Sequence, residues 1–390
     1  MSKAQKAALL LENFIRQDLG REGFVALHEP WFHGKEWEYL KDCLDSGWVS
    51  SVGSYVDRLE AMCAQACGTS HAIAVVNGTA ALHVLLHALG VKPGDMVICP
   101  ALSFVATANA ISYCGARPIF IDADPLTLGI SPKSLEDFLK NACVQRNGHT
   151  YDKQTGEVIA AIVPMHVFGH PVDMDQILKI AEEWGIAVVE DAAESLGSYY
   201  KGKPCGSLAQ AGILSFNGNK LVTTGGGGMI VTNDSVLAKK LKHITTTARV
   251  GGGWEFDHDE MGFNYRLPNL NAALGCAQME GLGEVLANKR ALAQLYADLF
   301  ANGPARYWQE QVWAQSNFWL NAIFFADKAE RDEFLEITNA KGLQARPCWR
   351  LLPDLPMYKA ETREEYSCAR SIIERLVNIP SSPFLVLKGK

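Results

Sequence analysis

Lys220 stands between an apolar run, GILSF, and four consecutive glycines at 225–228. Glycine permits positive φ and close backbone approach. The setting suits a lysine that reaches a bound reagent. Ser215, five residues earlier, could offer a hydroxyl to a phosphate. The order Gly-Asn-Lys differs from the Gly-Lys-Ser/Thr of a nucleotide-binding P-loop. Taken alone, the stretch also reads as a hairpin with a solvated lysine. A second candidate is Asp191, which closes the β-rich run IAVVED, with Glu194 three residues on. A carboxylate at a buried strand end needs a cationic or hydrogen-bonding partner; alone, Asp191 reads equally as a helix N-cap. A third is Asn77-Gly78-Thr79, where a strand turns into a helix. The free N–H groups and the positive dipole end make such a turn a ready phosphate site, although by itself it is an ordinary helix start.

Together these signals describe one reagent with a phosphate ester, a nitrogen heterocycle and an aldehyde, which is pyridoxal 5'-phosphate. Lys220 condenses with the aldehyde. Asp191 keeps the ring nitrogen protonated, so the ring accepts electrons. Helix-terminal amides and a hydroxyl hold the phosphate. Phe104, just after the run ICPALS, is placed to stack on the ring or to serve as plain core.

The elements that must carry these residues alternate. Strand-like runs at 71–76, 96–100, 117–124, 158–164 and 186–191 alternate with helical patterns at 79–89, 104–115 and 174–185. This predicts an α/β fold with a mostly parallel sheet between helices, and ligands bind such sheets beyond the carboxyl ends of the strands. Ala8, Leu11, Ile15 and Leu19 at helical spacing predict an amphipathic N-terminal helix rather than a signal peptide. GGGWEFDHDE reads as an exposed loop. From about residue 270 long helical patterns follow, with a strand expected at 317–326. The expected organisation is an N-terminal helical extension over 1–25, a large cofactor-binding domain over 26–250 and a smaller C-terminal α+β domain over 251–390.

The chain has 390 residues, 48% of them hydrophobic, and a formal net charge of −7, so disorder and a nucleic-acid or membrane partner are poor fits. Its ten scattered cysteines form no CxxC pair and read as reduced core thiols of a cytoplasmic protein. His166 and His170, in HVFGH, fall in a loop with no third ligand evident, so no metal is expected.

The motif set NGTAALH, ATANAISYCGA, HVFGHPVDMD, EDAAESLGSYYKGK, SFNGNKLVTTGGGG and NYRLPNLNAALG resembles the sugar aminotransferases of the DegT/DnrJ/EryC1/StrS family. The resemblance implies the fold-type I architecture of pyridoxal phosphate enzymes, with Lys220 as the cofactor-binding lysine and Asp191 as the ring-nitrogen partner. It implies that Glu194 approaches the ring hydroxyl and that Gly78, Thr79 and Ser215 contact the phosphate. It further implies a homodimer with composite sites, in which Asn264 of GFNYR reaches the neighbouring subunit's cofactor. Gly226 departs from the acidic residue that many relatives carry in this run. With Gly226, the set resembles the branch serving bacillosamine and legionaminic acid synthesis. The implied reaction moves the amino group of L-glutamate to C4 of a nucleotide-linked 4-keto-6-deoxy-N-acetylhexosamine, in its UDP form, for polysaccharide biosynthesis. Arg346, Trp349 and residues 20–35 are candidate substrate-pocket residues, with a structural role equally open to them. The rival readings are a 3-amino sugar transaminase and a non-catalytic cofactor-binding regulator. A 3-dehydratase would carry histidine at position 220, and a regulator would need a DNA-binding segment longer and more basic than residues 1–25.

Overall fold

The computed structural model describes residues 1–252 and 254–387. Gly253, in the loop expected from GGGWEFDHDE, lies outside the described residues; the rest of that stretch is exposed, and Asp257–His258 pairs with Arg249–Val250. Seven strands make the main sheet: β1 (His71–Val75), β2 (Met96–Pro100), β3 (Arg117–Ile121), β4 (Ile159–Ile162), β5 (Ala187–Asp191), β6 (Ala211–Ser215) and β7 (Gly228–Thr232). Their spatial order is β1-β7-β6-β5-β4-β2-β3. β7 runs antiparallel to both its neighbours, and the pairs from β6 across to β3 are parallel.

Helices cover both faces, which explains why β2 and β7 read as continuous apolar runs rather than alternating ones. The pleat sends Val97 and Cys99 to one face and Met96 and Ile98 to the other. The first face packs against α4 (Gly78–Ala88), α5 (Val105–Tyr113) and α8 (Ser235–Thr245). On the opposite side, Ile98 and Ile162 meet α6 (Pro132–Ala142) and α7 (Met174–Trp184). Ala74, Leu214 and Met229 there meet α2 (Glu36–Ser46), α3 (Ser54–Cys67) and α9 (Asn269–Glu280).

A second sheet follows: β8 (Arg306–Tyr307), β9 (Asn321–Phe324), β10 (Arg346–Pro347) and β11 (Leu376–Ile379), antiparallel throughout in the order β8-β9-β11-β10. It packs with α10 (Leu282–Phe300), α11 (Lys328–Ala340) and α12 (Ser367–Arg375). The N-terminal helix α1 (Lys3–Asn13) is closed by a capping box, Ser2 with Gln5, and seats Ala4, Ala8 and Leu11 against Leu292, Tyr296 and Phe334 of this lobe. All ten cysteines are free, nine of them buried. Among the described residues no helix is long and apolar enough to cross a membrane.

One expected strand is shorter in the structure. The pattern 317–326 suggests an extended run, but the strand covers only Asn321–Phe324. Ser316 Oγ accepts the N–H of Phe318, Asn317 Oδ1 accepts that of Trp319, and Phe318 takes φ +48°. These side chains divert the backbone from the ladder into a turn.

Ile98, in the middle of the sheet, is fully buried. Ile98→Ala is expected to lower unfolding stability by roughly 2–5 kcal/mol, read as a lower urea midpoint with an unchanged m-value.

Candidate active site

The strand ends converge on one cavity of about 480 Å3, lined among others by Gly78, Thr79, Phe104, Asp191, Glu194, Ser215 and Lys220. The residues singled out on separate sequence stretches therefore meet in space. Parallel pairing does this work. β5 and β6 align Asp191 with Ile213, so both strands end at the same edge and deliver Asp191 and Ser215 there. In the ladder Gly228 opens β7 between Val75 and Ser215. A Cβ at Gly228 would lie 2.5 Å from the Asn77 carbonyl carbon and 2.7 Å from the Gly78 nitrogen. Only glycine lets β7 pass this close to the start of α4. Lys220 sits on the loop between β6 and β7, and Gly225 turns that loop back with φ +78°.

Lys220 Nζ donates to Glu194 Oε1 at 3.0 Å and lies 3.8 Å from the centroid of the Trp319 ring. Glu194 Oε2 accepts the backbone N–H of Phe168 at 2.9 Å, offered from a turn where Phe168 has φ +54°. Burial pushes the Glu194 carboxyl up to about 6, against the pull of Lys220 and the Phe168 amide. Asp191 is raised as well, chiefly by burial. Thr107 Oγ1 donates to its Oδ2 at 2.7 Å, the Ala193 N–H to its Oδ1 at 3.2 Å, and both oppose the shift. Ser103 Oγ pairs with Thr107 Oγ1 at 2.8 Å, which extends the chain of bonds.

The helix start is shaped for an anion. Asn77 caps α4 by accepting the Ala80 N–H at 2.7 Å. The amides of Gly78 and Thr79, at the first turn, have no acceptor within the helix. A Cβ at Gly78 would lie 3.0 Å from Ser215 Cβ, so helix and strand end close on each other only with glycine there. These features fit pyridoxal phosphate. The helix end and Ser215 suit its phosphate, buried Asp191 suits a protonated ring nitrogen, Lys220 suits the aldehyde, and the cavity volume admits a planar ring.

Phe104 lies at the cavity wall with its side chain half exposed, its ring centroid 6.2 Å from that of Trp349. Of the pocket candidates, Leu27, Arg346 and Trp349 line the cavity. Asn264 does not; it is exposed and bridges to Thr246. His166 Nε2 meets Glu190 Oε2 at 3.0 Å and its Nδ1 accepts the Val172 N–H, while His170 is buried against Trp308 with burial lowering it to about 3. The two histidines take different partners, consistent with a structural role. Thr107, Trp319 and Asn378 are among the cavity residues that sequence reasoning missed. Thr107 carries no signal beyond a threonine in a helix. Trp319 was hidden inside the expected strand, although a turn of Ser, Asn and Phe was there to be read.

A lysine and a buried carboxylate sharing a cavity at the carboxyl edge of a parallel sheet match what a pyridoxal phosphate enzyme of the aminotransferase class requires. Residues 32–388 match the model of the DegT/DnrJ/EryC1/StrS aminotransferase family, and the chain belongs to that family. It is therefore a pyridoxal phosphate-dependent sugar aminotransferase. It is 36% identical over 362 residues to the GDP-perosamine synthase of Escherichia coli O157:H7, covering 93% of this chain and 94% of that one. It is 34% identical to the GDP-perosamine synthase of Caulobacter vibrioides, with 92% and 93% covered. Among solved structures it is similar to the aminotransferase TlmJ from Streptoalloteichus hindustanus, with TM-score 0.84, 26% identity and 92% and 94% of the chains covered.

The raised Glu194 carboxyl makes stability depend on pH. Its folded value, about 6, lies above the ordinary 4.5. Its contribution is full below the ordinary value and is lost as the pH rises through about 6. In cofactor-free protein, Glu194→Gln should gain stability relative to the parent as the pH moves from 4.5 to 7, by about 2 kcal/mol at most. Melting temperatures of both proteins across that range test it; a constant difference contradicts it.

Proposed function

We propose that this enzyme moves the amino group of L-glutamate to C4 of a nucleotide-linked 4-keto-6-deoxyhexose, giving the 4-amino-4,6-dideoxy sugar. The observation that carries the reading is the shared cavity of Lys220 and Asp191, with Gly78, Thr79 and Ser215 at one helix end. Bound pyridoxal phosphate supplies an aldehyde that takes up the donor's amino group and a ring that withdraws electrons from the carbon losing a proton. Lys220 would hold that aldehyde at rest and, once displaced by the donor, its amine would serve as the base that takes the proton from the donor's α-carbon and as the acid that delivers one to C4 of the sugar. Asp191, steadied by Thr107, would hold a proton on the ring nitrogen. Glu194, beside Lys220, would serve the ring hydroxyl. Gly78, Thr79 and Ser215 would receive the phosphate, and Phe104 would stack on the ring. Asn264, exposed on its own subunit, reaches the phosphate of the neighbouring subunit in a homodimer. The cavity is lined by the strand ends of the parallel sheet and by Arg346 and Asn378 of the second sheet.

The sequence set around Gly226 favours a UDP-linked N-acetylhexosamine of the bacillosamine and legionaminic acid type. A second reading, a GDP-linked sugar, is favoured by relatives whose names specify GDP-perosamine synthase. Both place the new amine at C4. Because donor and acceptor use one cavity in turn, the kinetics are ping-pong.

Two outcomes are expected. Lys220→Ala should lose turnover by about a thousandfold or more, while the parent's cofactor absorbance changes on adding L-glutamate; near-parental turnover of the variant would sink the assignment. Incubation with UDP-, GDP- and dTDP-linked 4-keto-6-deoxysugars, with products identified by NMR, should give amination at C4 and distinguish the nucleotides. A product aminated at C3 would overturn the regiochemistry.

A further inference from the structure

We infer that Arg346 and Asn378 form the subsite that receives a carboxylate of the amino-acid donor. The inference rests on the transamination reading above and deepens it. Arg346 opens β10 and faces Asn378 of β11 in ladder register. Such cross-strand partners hold their Cβ atoms roughly 5 Å apart on one face of the sheet. Both residues line the cavity that holds Lys220.

Two observations point to a ligand there. The side-chain nitrogen of Asn378 is buried and has no hydrogen-bond partner among the described residues, and the residue is only 2% exposed. Buried amide donors are destabilising when unpaired. One at a cavity wall gains its acceptor when a ligand enters. The second observation is charge. The cavity carries the carboxylates of Asp191 and Glu194 and the cations Lys220 and Arg346. Lys220 is engaged by Glu194, whereas Arg346 is exposed at the wall with no carboxylate of the described chain bonded to it.

An anionic substrate entering this cavity is repelled from the Asp191–Glu194 side and drawn to Arg346. The guanidinium fork with an adjacent amide N–H matches a planar acceptor with two oxygens. Trp319 and Trp349 line the same space and flank the contact with apolar surface. A carboxylate fits better than a diphosphate. The donor's carboxylate is one bond from the carbon whose proton Lys220 takes, so it must bind in the same cavity. The diphosphate of a sugar nucleotide is held off from C4 by the sugar ring.

The test separates the two half-reactions. The parent is followed first by cofactor absorbance, with L-glutamate and then with the 4-keto sugar nucleotide. Arg346→Met and Asn378→Leu are then compared after melting curves establish that they fold, with Arg346→Lys standing in should Arg346→Met fail. The glutamate concentration for half-conversion should rise about tenfold or more, while that for the sugar nucleotide stays within about twofold. A second readout needs no turnover: calorimetric binding of 2-oxoglutarate to cofactor-free protein should weaken about tenfold in Arg346→Met, while UDP and GDP binding is unchanged. Unaltered glutamate and 2-oxoglutarate responses, or a loss confined to the nucleotides, overturn the subsite and leave transamination standing. A parent that does not respond to glutamate overturns both.

Discussion

Two carboxyl groups buried at the carboxyl edge of one sheet dictate much of the architecture around them. Water solvates neither Asp191 nor Glu194 well, and a buried charge without partners is costly. Each is supplied by a different part of the chain. Asp191 draws on the hydroxyl of Thr107 from α5 and the amide of Ala193. Glu194 draws on Lys220 from the β6–β7 loop and on the amide of Phe168, offered only because Phe168 takes φ +54°. That turn is pinned in its own right, with His166 bonded to Glu190 and to the Val172 amide. Glu190 accepts further N–H groups from Gly206, Leu208 and Ala209. One strand end thus presents alternate acids with opposite duties. Glu190 points into the protein and ties loops together, while Asp191 points into the cavity and stays short of cationic partners. Strand pleat alone separates the two roles.

The position of Lys220 follows from backbone packing more than from its own contacts. β7 is the antiparallel member of an otherwise parallel sheet and inserts between β1 and β6. Its first residue must slip past the Asn77–Gly78 turn, and the glycine at 228 permits this. Gly227 is crowded too, since a Cβ there would meet Thr224 Oγ1 at 2.2 Å. A Cβ at Gly226 would meet nothing nearer than 4.0 Å, so its identity is free of this packing demand. The departure at 226 is therefore not one that the fold demands. The glycines of one run thus answer to different constraints.

What could be read from the residues follows the same division. Period and composition located five of the seven strands of the main sheet to within a few residues, because strands such as β2 are buried on both faces and carry continuous apolar runs. Lys220, Asp191, Gly78, Thr79, Glu194 and Ser215 were visible because they sit at strand ends and helix starts, where the parallel fold itself says a ligand binds. Thr107 was not visible, since its role exists only through a carboxylate 84 positions away. Trp319 was misread as strand because apolar residues hide a turn whose cause is two side chains, Ser316 and Asn317. Asn378 reads as an ordinary polar residue in a strand. Its unpaired amide appears only when β11 is paired with β10 and set against the cavity.

The second sheet completes the cavity, and its rigidity has a specific source. Lys289, fully buried on α10, donates to the carbonyls of Trp319 and Ser381 and meets no acid there. Burial holds its amine well below the usual lysine range. Its two hydrogen bonds go to backbone carbonyls. They clamp the turn carrying Trp319 to the segment after β11, and Asn317 clamps the same turn to the carbonyls of Glu194 and Leu196 in the large lobe. The indole that contacts Lys220 is therefore held from both lobes at once. Lys220, Asp191 and Glu194 come from the lobe of the parallel sheet, while Arg346, Trp349 and Asn378 come from the lobe of the antiparallel one. Residues of the second set can change without moving Lys220 or Asp191, because they reach the cavity from a separate sheet.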